Sequence, residues 1–277
     1  MSRNTSFYYS FLVLPPRKRD AIIAVWDFCR VVDDAVDEAP APGTPGRREQ
    51  IETALAGWHQ ELARCYEGGV PATAIGQRLQ PFIAEFRLPR QAFEDVIDGV
   101  EMDLEPRRYE TFEELFEYCR RVASAVGLIC IEVFGYRDPV TRQYALDLGI
   151  ALQLTNIIRD ITGDLAHGRV YLPLEDLRRF GCTEDDLSAG VLTDNVRQLL
   201  VFECDRARSY YEKARRERPR SDRRCLVAAE IMGAIYFRIL RGVERAGYDV
   251  FTRRIRVPRP QQAMIAVATW AATMAGF

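Results

Sequence analysis

The chain reads as an all-α protein. Apolar residues recur at steps of three and four along most of its length, no period-two run persists, and the periodic stretches are bounded by proline, glycine or capping residues. No repeat, low-complexity tract or linker divides residues 1–277, so one large helical domain is the economical expectation. With 48% hydrophobic and 28% charged residues the core can be sizeable, and a net charge of −2 offers no field to recruit nucleic acid.

Pro15-Pro16 can open a long first helix, proline being tolerated in the first turn, and apolar periodicity carries it to about Glu38. The run from Ala39 to Gly46 holds three prolines and two glycines and ends it. It follows an acidic stretch directly, which fits either a plain connection or a flap over a ligand. Helices are expected near Arg47–Tyr66 and Ile75–Phe86, then over Arg90–Asp103 after Pro89. In the last of these, Phe93, Val96, Ile97, Val100 and Leu104 form an apolar stripe, which makes Glu94, Asp95, Asp98, Glu101 and Asp103 a solvated outer face. Thr111-Phe112-Glu113-Glu114 has the form of a capping box and begins the next helix, within which Ala123, Ala125 and Gly127 are small. Asp138-Pro139 reads as an N-cap with proline at N1, starting the helix that carries the most unusual stretch of the chain. Further helices are expected over Thr183–Leu187, Asn195–Glu217 and Asp222–Ala246, with the arginine-rich Arg215–Arg224 as a solvated connector. Ala263 to Phe277 has no charge; it is too short to span a bilayer and reads as a buried terminal helix or an interfacial membrane contact.

The unusual stretch is Gln153 to Asp164, QLTNIIRDITGD, inside an otherwise apolar run. On a helix turning about 100° per residue, Gln153, Asn156, Asp160 and Asp164 form one polar stripe where a core-facing helix should be apolar. Burying unpartnered carboxylates costs several kcal/mol, so a cation or a wet cavity is implied beside them. Cys29–Glu38, CRVVDDAVDE, repeats the pattern with Arg30, Asp33 and Asp37. Six carboxylates (Asp33, Asp34, Asp37, Glu38, Asp160, Asp164) brought together would repel by roughly 1–4 kcal/mol per close pair. A divalent cation would remove that cost, and all-oxygen donors suit Mg²⁺, with Mn²⁺ as the alternative.

These residues carry a resemblance. Ser6-Phe7-Tyr8-Tyr9, the CRxxDDxxDE stretch, YCRRVASAVG at Tyr118–Gly127 and LQLTNIIRDITGDLAHGRVYLP at Leu152–Pro173 resemble the squalene/phytoene synthase family, in order from about Ser6 to Arg253. The resemblance implies a single-domain isoprenoid synthase helical bundle with a central cavity. It also implies a prenyltransferase that joins two prenyl diphosphates head to head. Asp33, Asp37, Asn156, Asp160 and Asp164 would hold the metal that pulls on the leaving diphosphate. Arg30, Arg159 and Arg169, with their planar donor forks, are candidates for phosphate oxygens. By resemblance Tyr171 and Arg253 join them; Ser6, Phe7, Trp26 and Tyr236, with Gln153, complete the pocket. Small residues permit close helix packing, but the resemblance favours Ala123, Val126 and Gly127 as the wall of an isoprenoid tunnel.

The wording VASAVGLICIEVFG at Val122–Gly135 places the bacterial presqualene diphosphate synthases first, acting on two farnesyl diphosphates, with phytoene synthase on two geranylgeranyl diphosphates as the alternative. A terpene-type cyclase also pairs two acidic helices, and the Arg30 and NIIRD contexts argue against it. No GxGxxG fingerprint occurs, and NADPH use stays open because family members that use it lack a Rossmann domain. Seven cysteines without CxxC spacing favour reduced thiols, and the N-terminus lacks the apolar core of a signal peptide. A cytoplasmic chain is therefore expected, with peripheral membrane contact as a variant; its oligomeric state is left open.

Overall fold

The computed structural model describes residues 8–40, 43–104 and 107–275. Among these the chain runs α1 (Tyr8–Leu12), α2 (Pro16–Asp37), α3 (Arg47–Tyr66), α4 (Ala74–Phe86), α5 (Arg90–Glu101), α6 (Phe112–Cys119), α7 (Ala125–Phe134), α8 (Thr141–Ala166), α9 (Leu174–Arg179), α10 (Glu184–Ser188), α11 (Asp194–Glu217), α12 (Val227–Arg245) and α13 (Arg259–Ala275). No β-strand occurs among the described residues, and a lone parallel bridge joins Arg108 to Val170. The all-α helical bundle is as the sequence predicts. No helix of the described residues is long and apolar enough to cross a membrane.

α8 is the axle of the bundle. It packs on α11, α7 and α12, and Tyr144, Ala145, Leu148, Ala151, Leu154, Ile158 and Ile161 are buried around its circumference. Between Tyr144 and Ile161 no residue of α8 is exposed, so Gln153, Asn156 and Asp160 have no solvent face there and must look onto an interior space.

Local departures from the predicted helices have identifiable causes. α8 starts at Thr141, because Asp138 caps a preceding turn: its carboxylate accepts from the Val140 amide at 3.0 Å. α12 starts only at Val227, since Asp222 is spent elsewhere. It lies in the stretch expected to be a solvated connector, yet it is 1% exposed; its carboxylate accepts from the Arg137 and Asp138 amides at 3.0 and 2.9 Å and from the Thr141 hydroxyl at 2.7 Å. It therefore ties the α11–α12 junction to the start of α8. The cap of α6 is partly as predicted: the Thr111 hydroxyl accepts from the Glu114 amide at 3.4 Å, whereas the Glu114 carboxylate takes the Glu110 amide rather than that of Thr111.

The helix expected to run unbroken from Thr111 is interrupted by a π-helical turn, Arg120–Ser124, joining α6 directly to α7. Two neighbours make room for this wider turn. A Cβ on Gly99 of α5 would stand 2.7 Å from Val122, and one on Gly149 of α8 would stand 2.6 Å from the Ser124 backbone, distances that real side chains do not tolerate. Glycine at both positions lets α5 and α8 close on the turn.

Candidate active site

Five elements converge at one end of α8. α2 contributes Asp33 and Asp37, the turn after α5 contributes Asp103, α6 contributes Tyr118, α8 contributes Gln153, and the segment leaving α8 contributes Arg169 and Tyr171; together they line a cavity of about 210 Å³. That last segment is held by the Arg108–Val170 bridge and by the Leu174 amide donating to the Tyr109 carbonyl at 2.9 Å. Asp103 is the hub. It accepts from the Tyr118 hydroxyl at 2.8 Å and the Tyr171 hydroxyl at 2.9 Å. Both phenols are pushed well above their usual range by burial and the neighbouring Asp103 charge, so they stay protonated donors. Stacking of Tyr171 on Tyr118, with centroids 5.1 Å apart, fixes their direction.

A second cavity of about 630 Å³ adjoins the first, since Asp37 and Arg169 line both; its other walls include Arg159, Asp160, Asp164, His167, Arg253 and Arg254. Across it Arg254 donates to both oxygens of Asp160, at 2.7 and 2.8 Å, and Arg159 donates to both from the other side. Burial alone would raise Asp160, but the two guanidinium forks outweigh it and hold the carboxyl below its ordinary range. Arg169 donates to Asp37 at 3.0 Å, so both acidic helices already meet an arginine.

Asp33 and Asp164 have no such fork and are pushed up to about 7, chiefly by burial, then by Asp37 and Asp160 respectively. Asp33 retains accessible surface, but it opens on the cavity, and the protein packed around it supplies the desolvation. A folded-state value above the unfolded one makes the native state bind more protons between roughly pH 4 and 7. Stability of the divalent-free protein is therefore expected to fall as pH rises through that window and to level off above it. Thermal melts across pH 4–8 check this, and Asp33→Asn should flatten the slope; an unchanged slope in that variant would place the titration elsewhere.

The residues expected from the sequence are only partly brought together. Asp33, Asp37, Gln153, Asp160, Asp164, Arg159, Arg169, Tyr171 and Arg253 line the two adjoining cavities. Tyr236 is buried, with the Arg159 guanidinium 6.0 Å from its ring centre. Arg30 lies outside them: its side chain is 60% exposed and pairs with Asp34 on its own helix at 3.4 Å. Trp26, Ala123 and Val126 are half-buried and line neither cavity. Gly127 faces α8, where a Cβ would stand 2.9 Å from the Ala145 carbonyl oxygen, so close packing alone accounts for it. Ser6 and Phe7 lie outside the described residues.

Three site residues escaped sequence reasoning. Periodicity places Asp103 on a solvated face, but α5 ends at Glu101, so the helical projection no longer applies two residues later. The rest of that acidic row behaves differently: Asp95 and Asp98 pair with Arg120 and Arg121 at 3.2 and 3.0 Å. Tyr118 stands out in the sequence only as the first residue of the YCRRVASAVG motif, and Arg254, next to the expected Arg253, carries the fork to Asp160.

Divalent cation chemistry fits this donor set. The buried Asn156 Oδ1 has no hydrogen-bond partner among the described residues, and Arg169 acts on Asp33 and Asp164 without offsetting their burial and the neighbouring carboxylates. No three His, Cys, Asp or Glu side chains among the described residues converge tightly enough to hold an ion alone, which leaves further positions to water and substrate oxygens, as is usual for Mg²⁺.

The chain matches the squalene/phytoene synthase family profile over residues 2–261. It is 40% identical to the 15-cis-phytoene synthase of Synechococcus elongatus, covering 91% of this chain and 84% of that protein, and 39% identical to the 15-cis-phytoene synthase of a Synechocystis species, covering 96% and 80%. Among solved structures it superimposes on a dehydrosqualene synthase in complex with ligand with a TM-score of 0.86 at 28% identity, covering 99% of this chain and 93% of that one. Squalene synthase HpnC from Alicyclobacillus acidocaldarius gives 0.76 at 33% identity, covering 88% and 89%. This chain belongs to the squalene/phytoene synthase family and is an enzyme of the prenyltransferase type.

Proposed function

We propose that this enzyme joins two geranylgeranyl diphosphates head to head and converts the cyclopropyl intermediate to phytoene. The observation that carries the choice is the 40% and 39% identity to phytoene synthases over more than nine-tenths of the chain. The sequence alone put farnesyl diphosphate first, and these relatives favour the longer substrate instead. Farnesyl diphosphate remains the second reading because of the 33% identity to a squalene synthase.

Ionising an allylic diphosphate requires charge stabilisation on the leaving group and a dry wall around the cation. Arg159 and Arg254 are clamped on Asp160, and the same planar forks suit diphosphate oxygens. Exchange of carboxylate for diphosphate keeps the arginines satisfied and frees both Asp160 oxygens. Arg169 and Arg253 add positive charge along the same cavity. When bound, Mg²⁺ held by Asp33, Asp37, Asn156, Asp160 and Asp164 supplies Lewis-acid pull on the leaving group. The stacked rings of Tyr118 and Tyr171 present aromatic surface beside the acidic wall, which favours a nearby cation and excludes the water that would quench it. Each of the two ionisations releases one diphosphate, and the first ends with one proton lost as the cyclopropane closes. A final proton loss leaves a central double bond, so this product needs no reductant.

Purified enzyme incubated with Mg²⁺ and each prenyl diphosphate, with and without NADPH, tests the reading. Phytoene from geranylgeranyl diphosphate without NADPH is expected, and excess EDTA should stop it. Presqualene diphosphate or squalene formed from farnesyl diphosphate, with the longer substrate idle, would overturn it.

A further inference from the structure

α13 is turned inside out. From Met264 to Ala272 every exposed residue is apolar, namely Met264, Val267, Ala268, Trp270, Ala271 and Ala272, whereas the polar Thr273 is buried. Met264, Val267 and Trp270 are 65%, 67% and 45% exposed and stand three residues apart on one face, so this is a patch rather than scattered apolar residues. A groove of about 460 Å³ between α12 and α13 continues it, lined by Phe237, Arg238, Arg241, Met264 and Ile265 among others.

The free charge around the patch has one sign, since Glu244, the carboxylate within the α12 stripe, is paired with Arg208. Arg238, Arg241 and Arg245 are three and four apart on α12, and Arg256 and Arg259 are exposed where the chain enters α13. From Val250 to the C-terminus there is no Asp or Glu. An apolar helix face with a tryptophan, bordered by arginines and no unpaired carboxylate, complements an anionic bilayer surface, where apolar side chains enter the acyl boundary and guanidinium groups meet phosphates. At about 1.5 Å per residue this helix can lie along such a surface, and it is not built to cross one.

We propose that the exposed face of α13, with the arginine stripe of α12, is a docking surface for anionic phospholipid. Sedimentation of the 277-residue enzyme with vesicles of phosphatidylglycerol and phosphatidylcholine tests it. Binding should weaken at least tenfold with phosphatidylcholine alone or at high salt. Val267→Glu and Trp270→Glu should each lower it roughly tenfold, and Arg241→Gln combined with Arg245→Gln should flatten the salt dependence. Both glutamates would sit on exposed positions outside the active site, so activity on detergent-dispersed substrate should persist and show that the variants are folded. Equal sedimentation of parent and variants would overturn the proposal. So would light scattering showing a parent dimer that Val267→Glu dissociates, with no vesicle binding, because the face would then serve a second copy of the chain. Neither outcome depends on which prenyl diphosphate is consumed.

Discussion

Replacing Asp103 by asparagine should lower turnover roughly 10²–10³-fold while leaving the melting temperature close to that of the parent. The amide is isosteric: its oxygen can still accept from one phenol while its NH2 donates to the hydroxyl oxygen of the other, so the stack that fixes both rings survives. What disappears is a charge facing Arg169. Burial raises Asp103, whereas Arg169 and the two hydroxyls act against that rise. Hydrogen bonds to charged groups and preorganised charge at a reacting diphosphate are each worth about 1.5–4 kcal/mol, or one to three decades in rate. Steady-state kinetics with saturating Mg²⁺ and prenyl diphosphate would check this. Turnover within about threefold of the parent would reduce Asp103 to a packing role.

The largest loss of stability should come from Asp222→Ala, about 3–5 kcal/mol, because it strips the acceptor from two backbone amides and one buried hydroxyl at once. Burial opposes ionisation of Asp222, but the amides of Asp138 and Arg137 and the Thr141 hydroxyl prevail and hold the carboxyl below its ordinary range. Its contribution is therefore present above the ordinary carboxylate pKa and is lost as pH falls through the depressed value. Asp222→Asn keeps an acceptor and should cost less than half as much. Chemical denaturation at pH 7 measures both; an alanine variant as stable as the parent would mean that water replaces the carboxylate.

The helices were legible because periodicity and caps are local properties. Pro16 opens α2 and Thr73, Thr111, Thr183 and Thr193 cap their helices through backbone amides, all within four residues of sequence. The two acidic motifs were legible for the same reason, since helical spacing fixes which carboxylates share a face. What spacing cannot supply is the partner across a gap. Asp103 joins the site only because the chain leaves helical phase after Glu101, and Arg254 rather than Arg253 reaches Asp160 from an irregular loop. Gly127 shows the converse: its small size was visible, but the backbone of α8 that it makes room for was not.

The π-helical turn fixes an angular phase. Tyr118 and Gly127 are nine positions apart, which on an unbroken α-helix at about 100° per residue would set them on opposite sides of the rod. The wider turn absorbs one residue without completing its share of rotation, leaving the two about 80° apart. One continuous rod can thus present a phenol to Asp103 and, a little over two turns further on, a bare backbone to α8. Between Cys119 and Ala125 the constrained quantity is therefore the winding of the turn more than the identity of its residues. Straightening the turn into α-helix with every residue kept would preserve every side chain of the acidic site and still swing the Tyr118 hydroxyl away from Asp103, whereas deleting one residue there would restore the same phase on a regular helix.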